Sequence, residues 1–331
     1  HYQGYLGWSP THSPFQQGFA HGSSNFGSHP YAYREHHELK NQVVPDGTFA
    51  EDALIDNAIE FIEEQRDEPY FLYLSQYFVH DPVHSRCRWL IDKYRDRLPE
   101  DSAEVRASYA AMVETLDHLV GRVLDAIERS GEEDNTLVVF MSDNGGHPNY
   151  TTNAPLRGSK WNLYEGGIRV PMIARWPEVL SPGVRDDIAV YGCDLLPTFC
   201  EVARADTPSP NCDGVSLLSV LKDQTAELKR PTPLVWHFPY YHPEKRFKKS
   251  PAAIGVGDYY TSQTRPHSAM LTGEWKLLHF YEDDRVELYN LNSDLAERID
   301  LASQHPELAA RQKEQLQQRL FDMNARLPQP N

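Results

Sequence analysis

Two short apolar segments separated by one long amphipathic segment constrain the fold of this chain most strongly. The apolar segments are residues 70–76 (YFLYLSQ) and 136–141 (TLVVFM). Between them, apolar residues recur at helical spacing over residues 103–129, and Gly131 follows as a helix stop. Strands that are apolar on both faces are typical of parallel sheets covered by helices. The pattern therefore predicts a strand, helix, strand unit in an α/β core, with a mostly parallel sheet sandwiched by helices.

Further elements extend this core over residues 1–240. Thr48 and Glu51 form a capping-box pattern that predicts the start of a helix. Apolar segments predict two more strands of the core, at residues 170–176 and 234–238.

Residues 241–331 are predicted to form a small C-terminal subdomain. Three short apolar segments, SAMLTG, WKLLHFY and VELYNL, are separated by gaps of turn length and indicate an antiparallel meander. A helix over residues 308–327 is expected to complete this subdomain.

Composition and charge exclude several classes of function. The chain has 331 residues, of which 24% are charged, and its formal net charge is −16. A field of this sign repels nucleic acids and anionic membranes, so no nucleic-acid partner is expected and an anionic substrate needs a local cationic pocket. No segment has the uninterrupted apolar length of a membrane span.

The four cysteines form neither a C-x-x-C pair nor a zinc pattern, so free thiols and disulfides fit equally.

The segment after the second apolar run carries the first candidate site. It reads SDNGGH, and in open α/β sheets ligands bind beyond the carboxyl ends of the strands. Asp143 and Asn144 offer two adjacent oxygen ligands, and Gly145 and Gly146 let the backbone turn sharply around an ion. Calcium (Ca2+) is therefore expected, with magnesium (Mg2+) also compatible. The alternative is an Asx turn that ends the strand, which is the commoner meaning of an isolated D-N-G-G.

Cationic side chains occupy two further loops. Arg157 and Lys160 lie in LRGSK, where two flexible cations after a metal-binding turn are suited to hold a substrate oxyanion. His80 follows the first apolar segment, a position suited to acid–base chemistry or to donation to an anion. Each residue alone fits a solvated surface charge or a structural histidine. Their common position after predicted strands favours one joint site.

Six segments, in this order, resemble the type I, formylglycine-dependent sulfatases of the alkaline phosphatase-like superfamily. They are YFLYLSQYFVHDP, MSDNGG, LRGSK, EGGIRVP, CDLLPTFCEVA and ELYNLNSDLAERIDLA. The resemblance covers nearly the whole chain. It implies the α/β fold of that superfamily, incomplete at its N-terminus, and the hydrolysis of sulfate esters.

The resemblance also implies roles for individual residues. Asp143 and Asn144 would be two calcium ligands. Lys160 would bind the sulfate and the leaving-group oxygen, and His80 would contact the sulfate. These four positions are those that match the family's motifs.

Two weaker similarities add candidates at the ends of the chain. The segment HYQGYLGWSP is similar to the residues that come after GKW in the family, which makes His1 a candidate catalytic residue. The segment WHFPYYH is similar to one near the substrate entrance of polysaccharide sulfatases. His237 is therefore a candidate substrate-binding residue, together with Arg157.

The family pattern is incomplete in these 331 residues. Members use a formylglycine hydrate, made from the Cys or Ser of a C/S-x-P-x-R element, as nucleophile, with two further Asp ligands. None of Cys87, Cys193, Cys200 and Cys212 is followed by the required Pro and Arg. The chain is therefore interpreted as the C-terminal two-thirds of a sulfatase, inactive alone, with formylglycine expected in a missing N-terminal segment. Localisation in the periplasm or outside the cell follows from the resemblance only.

Two other functions fit the same motifs. Phosphatases and phosphonate hydrolases of the same superfamily share an anion-binding metal centre. A catalytically inactive protein that binds sulfated glycans would keep the sulfate-contacting half of the site. The expected partner of a sulfatase or of such a binding protein is a sulfated small molecule or glycan. The sequence leaves the oligomeric state open.

Overall fold

The secondary structure of the chain falls into a helical part and a part rich in strands. The computed structural model describes residues 14–22, 42–64, 68–99, 104–207, 212–241 and 266–329. Contacts between residues divide the chain into two units, His1–Thr136 and Leu137–Asn331. The α/β class is confirmed, and the domain boundary placed after residue 240 stays a prediction.

Packed α-helices dominate the described part of the first unit. They are α1 (Ala53–Glu63), α2 (Arg88–Arg95) and α3 (Glu104–Arg129). The helix α3 packs against both α1 and α2, and its apolar face buries Met112 and Leu119 in their shared core. The long amphipathic helix predicted from the sequence is thus confirmed.

The start of α1 differs from the capping-box prediction. Asp52 is the N-cap, because its carboxylate accepts hydrogen bonds from Leu54 N (2.9 Å) and Ile55 N (3.3 Å). The Thr48 hydroxyl instead donates to the carbonyl of Pro45 at 2.7 Å. A buried carboxylate at the N-cap accepts hydrogen bonds from two amides of the first turn and therefore sets the helix start.

The strand predicted at residues 70–76 is not formed. Phe71 and Tyr73 are 55% and 60% exposed, while Leu72 and Leu74 between them are half-buried. A strand exists only through hydrogen bonds to a neighbour. Within residues 42–64, 68–99 and 104–136, no strand is present to supply them.

The second unit begins with a pair of short strands. β1 (Val138–Met141) pairs with β2 (Met172–Arg175), with Met141 opposite Met172. The two strands run antiparallel, so they do not supply the parallel pair that the apolar runs suggested. The chain between them forms a long loop that contains the short helix α4 (Glu165–Ile168). The helices α5 (Leu195–Val202) and α6 (Leu218–Lys222) follow β2.

A four-stranded antiparallel sheet and a helix complete the second unit. The strands, in sheet order, are β3 (Leu234–Phe238), β4 (His267–Thr272), β5 (Trp275–Phe280) and β6 (Val286–Asn290). The helix α7 (Pro306–Asp322) packs on one face of the sheet. The other face buries Leu163 and Tyr164 from the long loop.

The predicted meander and C-terminal helix are confirmed, and the strand at residues 234–238 exists. It belongs to this C-terminal sheet rather than to the core sheet, because its backbone pairs with β4. An apolar run indicates a strand but not its partner. Across the ranges that the structure describes, no helix is both long and apolar enough to cross a membrane.

Candidate active site

The three loop motifs after β1 meet at one place, which we call the glycine junction. It consists of residues 142–147, 157–160 and 164–167, joined by backbone hydrogen bonds. Gly145 N donates to the carbonyl of Gly167 (2.9 Å), and Lys160 N donates to the carbonyl of Gly146 (3.2 Å). The structure thus brings the SDNGG, RGSK and EGG segments together, although they are separate in sequence.

Glycine is required at this junction because backbones touch. A Cβ on Gly145 would lie 1.8 Å from the carbonyl oxygen of Gly166, and one on Gly167 would lie 2.0 Å from that of Asn162. No side chain fits at such distances. The sequence suggested that Gly145 and Gly146 allow a turn around an ion. The contacts show that Gly145 permits the close approach of two loops.

Asn153 is a residue of this site that sequence reasoning missed. Its amide nitrogen donates to the carbonyls of Gly146 (3.1 Å) and Gly158 (3.3 Å), and its amide oxygen accepts from Gly146 N (2.8 Å). A single side chain thereby makes hydrogen bonds to three backbone groups in two of the motifs. An Asn in a polar loop gives no sequence signal that separates this role from an ordinary turn.

Asp143 and Asn144 provide the oxygen pair predicted for a metal. Asp143 is exposed and Asn144 is half-buried. The Asn144 amide donates to the carbonyl of Gly145 (3.0 Å), and the Ser142 hydroxyl donates to the carbonyl of Asn144 (3.1 Å). The described residues give the Asp143 carboxylate no hydrogen-bond donor and no cation. These hard oxygens suit calcium or magnesium.

The pair supplies only two ligands, whereas calcium takes six to eight. Among the described residues, no group of three or more His, Cys, Asp or Glu side chains could hold a metal ion. The donor set therefore fits part of a calcium site, and the remaining ligands would come from outside this set. The calcium assignment stays a prediction.

Lys160 lies at the junction with an aromatic partner. Its backbone is fixed by the bond to Gly146, two positions after Asn144. Its ammonium lies 5.5 Å from the ring centroid of Trp161. The structure therefore brings the backbone of Lys160 next to the turn that carries the oxygen pair, and the catalytic role of Lys160 stays a prediction.

Arg157 contacts the C-terminal sheet and the turn after β6. Its guanidinium donates to the Tyr289 hydroxyl (2.9 Å) and to the carbonyl of Glu297 (3.2 Å), and it lies 4.2 Å over the Tyr164 ring. These contacts give Arg157 a role in holding the loop on the sheet. Its contact with substrate stays a prediction.

The histidines predicted for the site have different surroundings. His237 on β3 uses both ring nitrogens, with Nδ1 2.6 Å from the Ser268 hydroxyl and Nε2 2.9 Å from the carbonyl of Arg326. His80 belongs to the first unit, and its exposed ring places Nδ1 2.7 Å from the carbonyl of Asp81. That bond leaves Nε2 as the acceptor of a neutral ring. His1 lies outside the described residues.

A buried ionic cluster behind the junction was also missed. The Lys276 ammonium is fully buried, 2.8 Å from Glu165 Oε1 and 2.9 Å from Glu297 Oε1. Glu297 also accepts a hydrogen bond from Glu165 N at 2.6 Å. The cluster ties the EGG segment to β5 and to the turn after β6. On β5, Lys276 shares a face with Leu278 and Phe280. A lysine at this apolar position of the alternation is the sequence signal that could have predicted a buried cation.

Burial and charge shift the pKa values of the two carboxyls in opposite directions. Burial raises the pKa of Glu297 to about 7, and the neighbouring Glu165 adds to the effect, while Lys276 opposes it. Burial also disfavours the charged form of Glu165, but Lys276 and Arg169 outweigh it and lower the pKa of that carboxyl. Glu297 is therefore the carboxyl of the cluster that takes up a proton first.

Family comparisons match both parts of the chain. A family model described as sulfatase matches residues 2–205. The chain belongs to the sulfatase family. A second model, described as the C-terminal part of N-sulphoglucosamine sulphohydrolase, matches residues 159–326. The glycine junction and the sheet behind it thus both lie within sulfatase regions.

Individual sulfatases are similar over long stretches. A sulfatase of Formosa agariphila is 36% identical over 293 residues, covering 83% of this chain and 50% of the relative. An N-acetylglucosamine-6-O-sulfatase of Bacteroides thetaiotaomicron is 31% identical over 211 residues, covering 63% of this chain and 34% of the relative. The chain thus spans half the length of the first relative and about a third of the second.

A solved structure has the same fold as this chain. The crystal structure of Ps i-CgsB in complex with k-i-k-neocarrahexaose superimposes with a TM-score of 0.70 at 25% identity. The match covers 95% of this chain and 69% of that chain.

Proposed function

We propose that the complete protein is a sulfuric ester hydrolase that acts on a sulfated glycan. The observation that carries the proposal is the bond from Lys160 N to the carbonyl of Gly146. It places the backbone of Lys160 against the turn that presents the oxygen pair of Asp143 and Asn144. A cation beside a metal-binding oxygen pair is the arrangement that a tetrahedral dianionic centre needs.

Each residue has a defined task in this proposal. Asp143 and Asn144 would hold calcium together with ligands outside the described set, and the bound ion would supply positive charge toward the sulfate oxygens. Lys160 offsets negative charge on the sulfate and on the leaving oxygen. His80 belongs to the first unit, and its role as a proton donor stays a prediction.

The nucleophile lies outside these residues. The printed sequence has no Cys or Ser in a C/S-x-P-x-R pattern. The resemblance supplies a formylglycine for this task. We therefore expect the 331-residue chain alone to be inactive and the complete, formylglycine-bearing protein to be active.

The glycan substrate rests on similar proteins. The Bacteroides relative is named an N-acetylglucosamine-6-O-sulfatase, and the superimposed structure contains a neocarrahexaose. Both names contain a sugar, and the first also names a sulfatase activity on it.

Turnover by the complete protein tests the proposal. We expect hydrolysis of 4-nitrophenyl sulfate in the presence of calcium, loss of turnover after chelation, and much slower hydrolysis of 4-nitrophenyl phosphate. Faster hydrolysis of the phosphate ester would favour a phosphatase. A complete protein that carries formylglycine and calcium but hydrolyses neither ester would contradict the proposal.

A further inference from the structure

An aromatic cluster lies beside Lys160, and the proposed chemistry does not use it. The rings of His147 and Tyr150 stack with centroids 4.5 Å apart, and His147 meets Trp161 edge to face at 4.9 Å. His147 ends the SDNGGH segment, and Trp161 follows Lys160 directly. All three rings are half-buried. The cluster thus continues the glycine junction on the side of the cation.

The backbone of Trp161 is strained. Its φ is +76°, in the left-handed region that a bulky L-residue rarely occupies. Such strain persists only where the surroundings hold it, and it concentrates at functional sites. Here the bond from Lys160 N to Gly146 and the bond from Asn162 N to Ser159 (3.2 Å) fix the residues on both sides. The strain sets the direction in which the indole projects next to Lys160.

We propose that Trp161, braced by His147, is a specificity-determining residue that stacks on the sugar ring carrying the sulfate. This inference rests on the proposed function and names the part of the substrate that the residue reads. The C–H groups of a pyranose carry partial positive charge and pack against the negative face of an aromatic ring.

The distance between Lys160 and the indole, and the charge of the chain, favour a sugar ring stacked on Trp161. The Lys160 ammonium lies 5.5 Å from the indole centroid, so a sulfate held by Lys160 keeps its sugar within reach of the indole. The chain carries a net charge of −16, which does not attract an anionic glycan at long range. Affinity for the organic part of the substrate must then come from short-range contacts, and stacking on a half-buried aromatic side chain supplies them.

Binding of two matched probes tests the inference without turnover. Glucose 6-sulfate and propyl sulfate carry the same sulfate ester, but only the first has a pyranose ring. By NMR titration of the complete, calcium-bearing protein prepared without formylglycine, so that no turnover occurs, we expect a Kd for glucose 6-sulfate about five- to tenfold below that for propyl sulfate. Trp161→Asn, which tolerates the left-handed backbone, should erase this preference. Trp161→Phe should keep most of it.

A control variant separates a local effect from a general one. Phe321 on α7 is an aromatic residue that is 80% exposed, and Phe321→Ala should leave the preference unchanged. Equal Kd values for the two probes in the unaltered chain, absence of binding of both, or a preference that survives in Trp161→Asn would overturn the inference. Nitrophenyl sulfate turnover by a complete protein without ring preference would refute the role of Trp161 and leave the proposed hydrolase intact.

Discussion

The two units reach a packed interior by different means. In the first unit, α3 buries Met112 and Leu119 in a core of apolar side chains. In the second, the interior next to the glycine junction contains the fully buried Lys276 and two carboxylates. Apolar contacts weaken gradually when a side chain changes, whereas a buried ion without its partner is costly.

This difference bears on what each unit does. Apolar cores tolerate changes of shape if volume is kept. The junction combines backbone contacts that only glycine permits with ion pairs that must all be present. Such an arrangement constrains the backbone that carries Lys160 and the predicted metal ligands.

The largest effect is expected from Lys276→Ala. It leaves Glu165 and Glu297 buried without their cation, which should cost about 3–5 kcal/mol. Hydrogen exchange of the β4 and β5 amides measures this loss. In the first unit, Met112→Ala should cost about 2–5 kcal/mol through its cavity. Acid should restore part of the stability only in Lys276→Ala, because protonation removes the unpaired charges. A loss in that variant that does not depend on pH would count against the ionic account.

A glycine pair provides the next contrast. Gly167→Ala places a Cβ 2.0 Å from a backbone oxygen, whereas a Cβ on Gly121 in α3 meets nothing within 4 Å. We expect Gly167→Ala to lower the free energy of unfolding by more than about 2 kcal/mol. Gly121→Ala should raise it by about 0.5–1 kcal/mol. Urea unfolding monitored by circular dichroism compares them. Similar effects at both positions would mean that the junction is not tightly packed.

The pH dependence of Glu297→Gln sharpens the ionic side of the comparison. Glu297 has a folded pKa raised to about 7, so its contribution to stability is complete below the unfolded value of about 4.3. The contribution is lost as pH rises through about 7, because the folded state then gives up a tightly bound proton. Thermal unfolding between pH 5 and 7.5 should therefore show a flatter pH profile for Glu297→Gln than for the unaltered chain. Identical slopes would contradict the raised pKa.

The smallest effect is expected from a surface ion pair. Arg129 lies 2.7 Å from Glu63, and both side chains are about half exposed. Arg129→Ala should change stability by less than about 1 kcal/mol, because solvent screens the pair. Urea unfolding in low and high salt checks this. A loss as large as that in Lys276→Ala would remove the distinction between exposed and buried charges.

Periodicity predicted most of the elements of the fold. The 26-residue helix α3 and the meander of β4, β5 and β6 follow from apolar spacing alone. Pairing was not predictable in the same way. Residues 70–76 form no strand, and β3 joins the C-terminal sheet. An apolar run marks a segment that can form a strand, whereas the choice of a strand partner depends on contacts far along the chain.

In the candidate site, too, contacts between residues far apart in sequence were not predictable. Motif order placed Lys160 on a loop shortly after the turn of Asp143 and Asn144, and the structure joins the Lys160 backbone to Gly146 in that turn. The inward direction of Arg157 was not predictable, because the residues that accept its hydrogen bonds, Tyr289 and Glu297, lie far along the chain.

One kinetic comparison tests the central claim that Lys160 belongs to a sulfate-ester site. In the complete protein, kcat/KM for 4-nitrophenyl sulfate should fall by about 10²–10³-fold in Lys160→Ala. Lys222→Ala, at an exposed lysine of the same unit, should match the unaltered protein. A Lys160→Ala variant with unaltered kcat/KM would contradict the account.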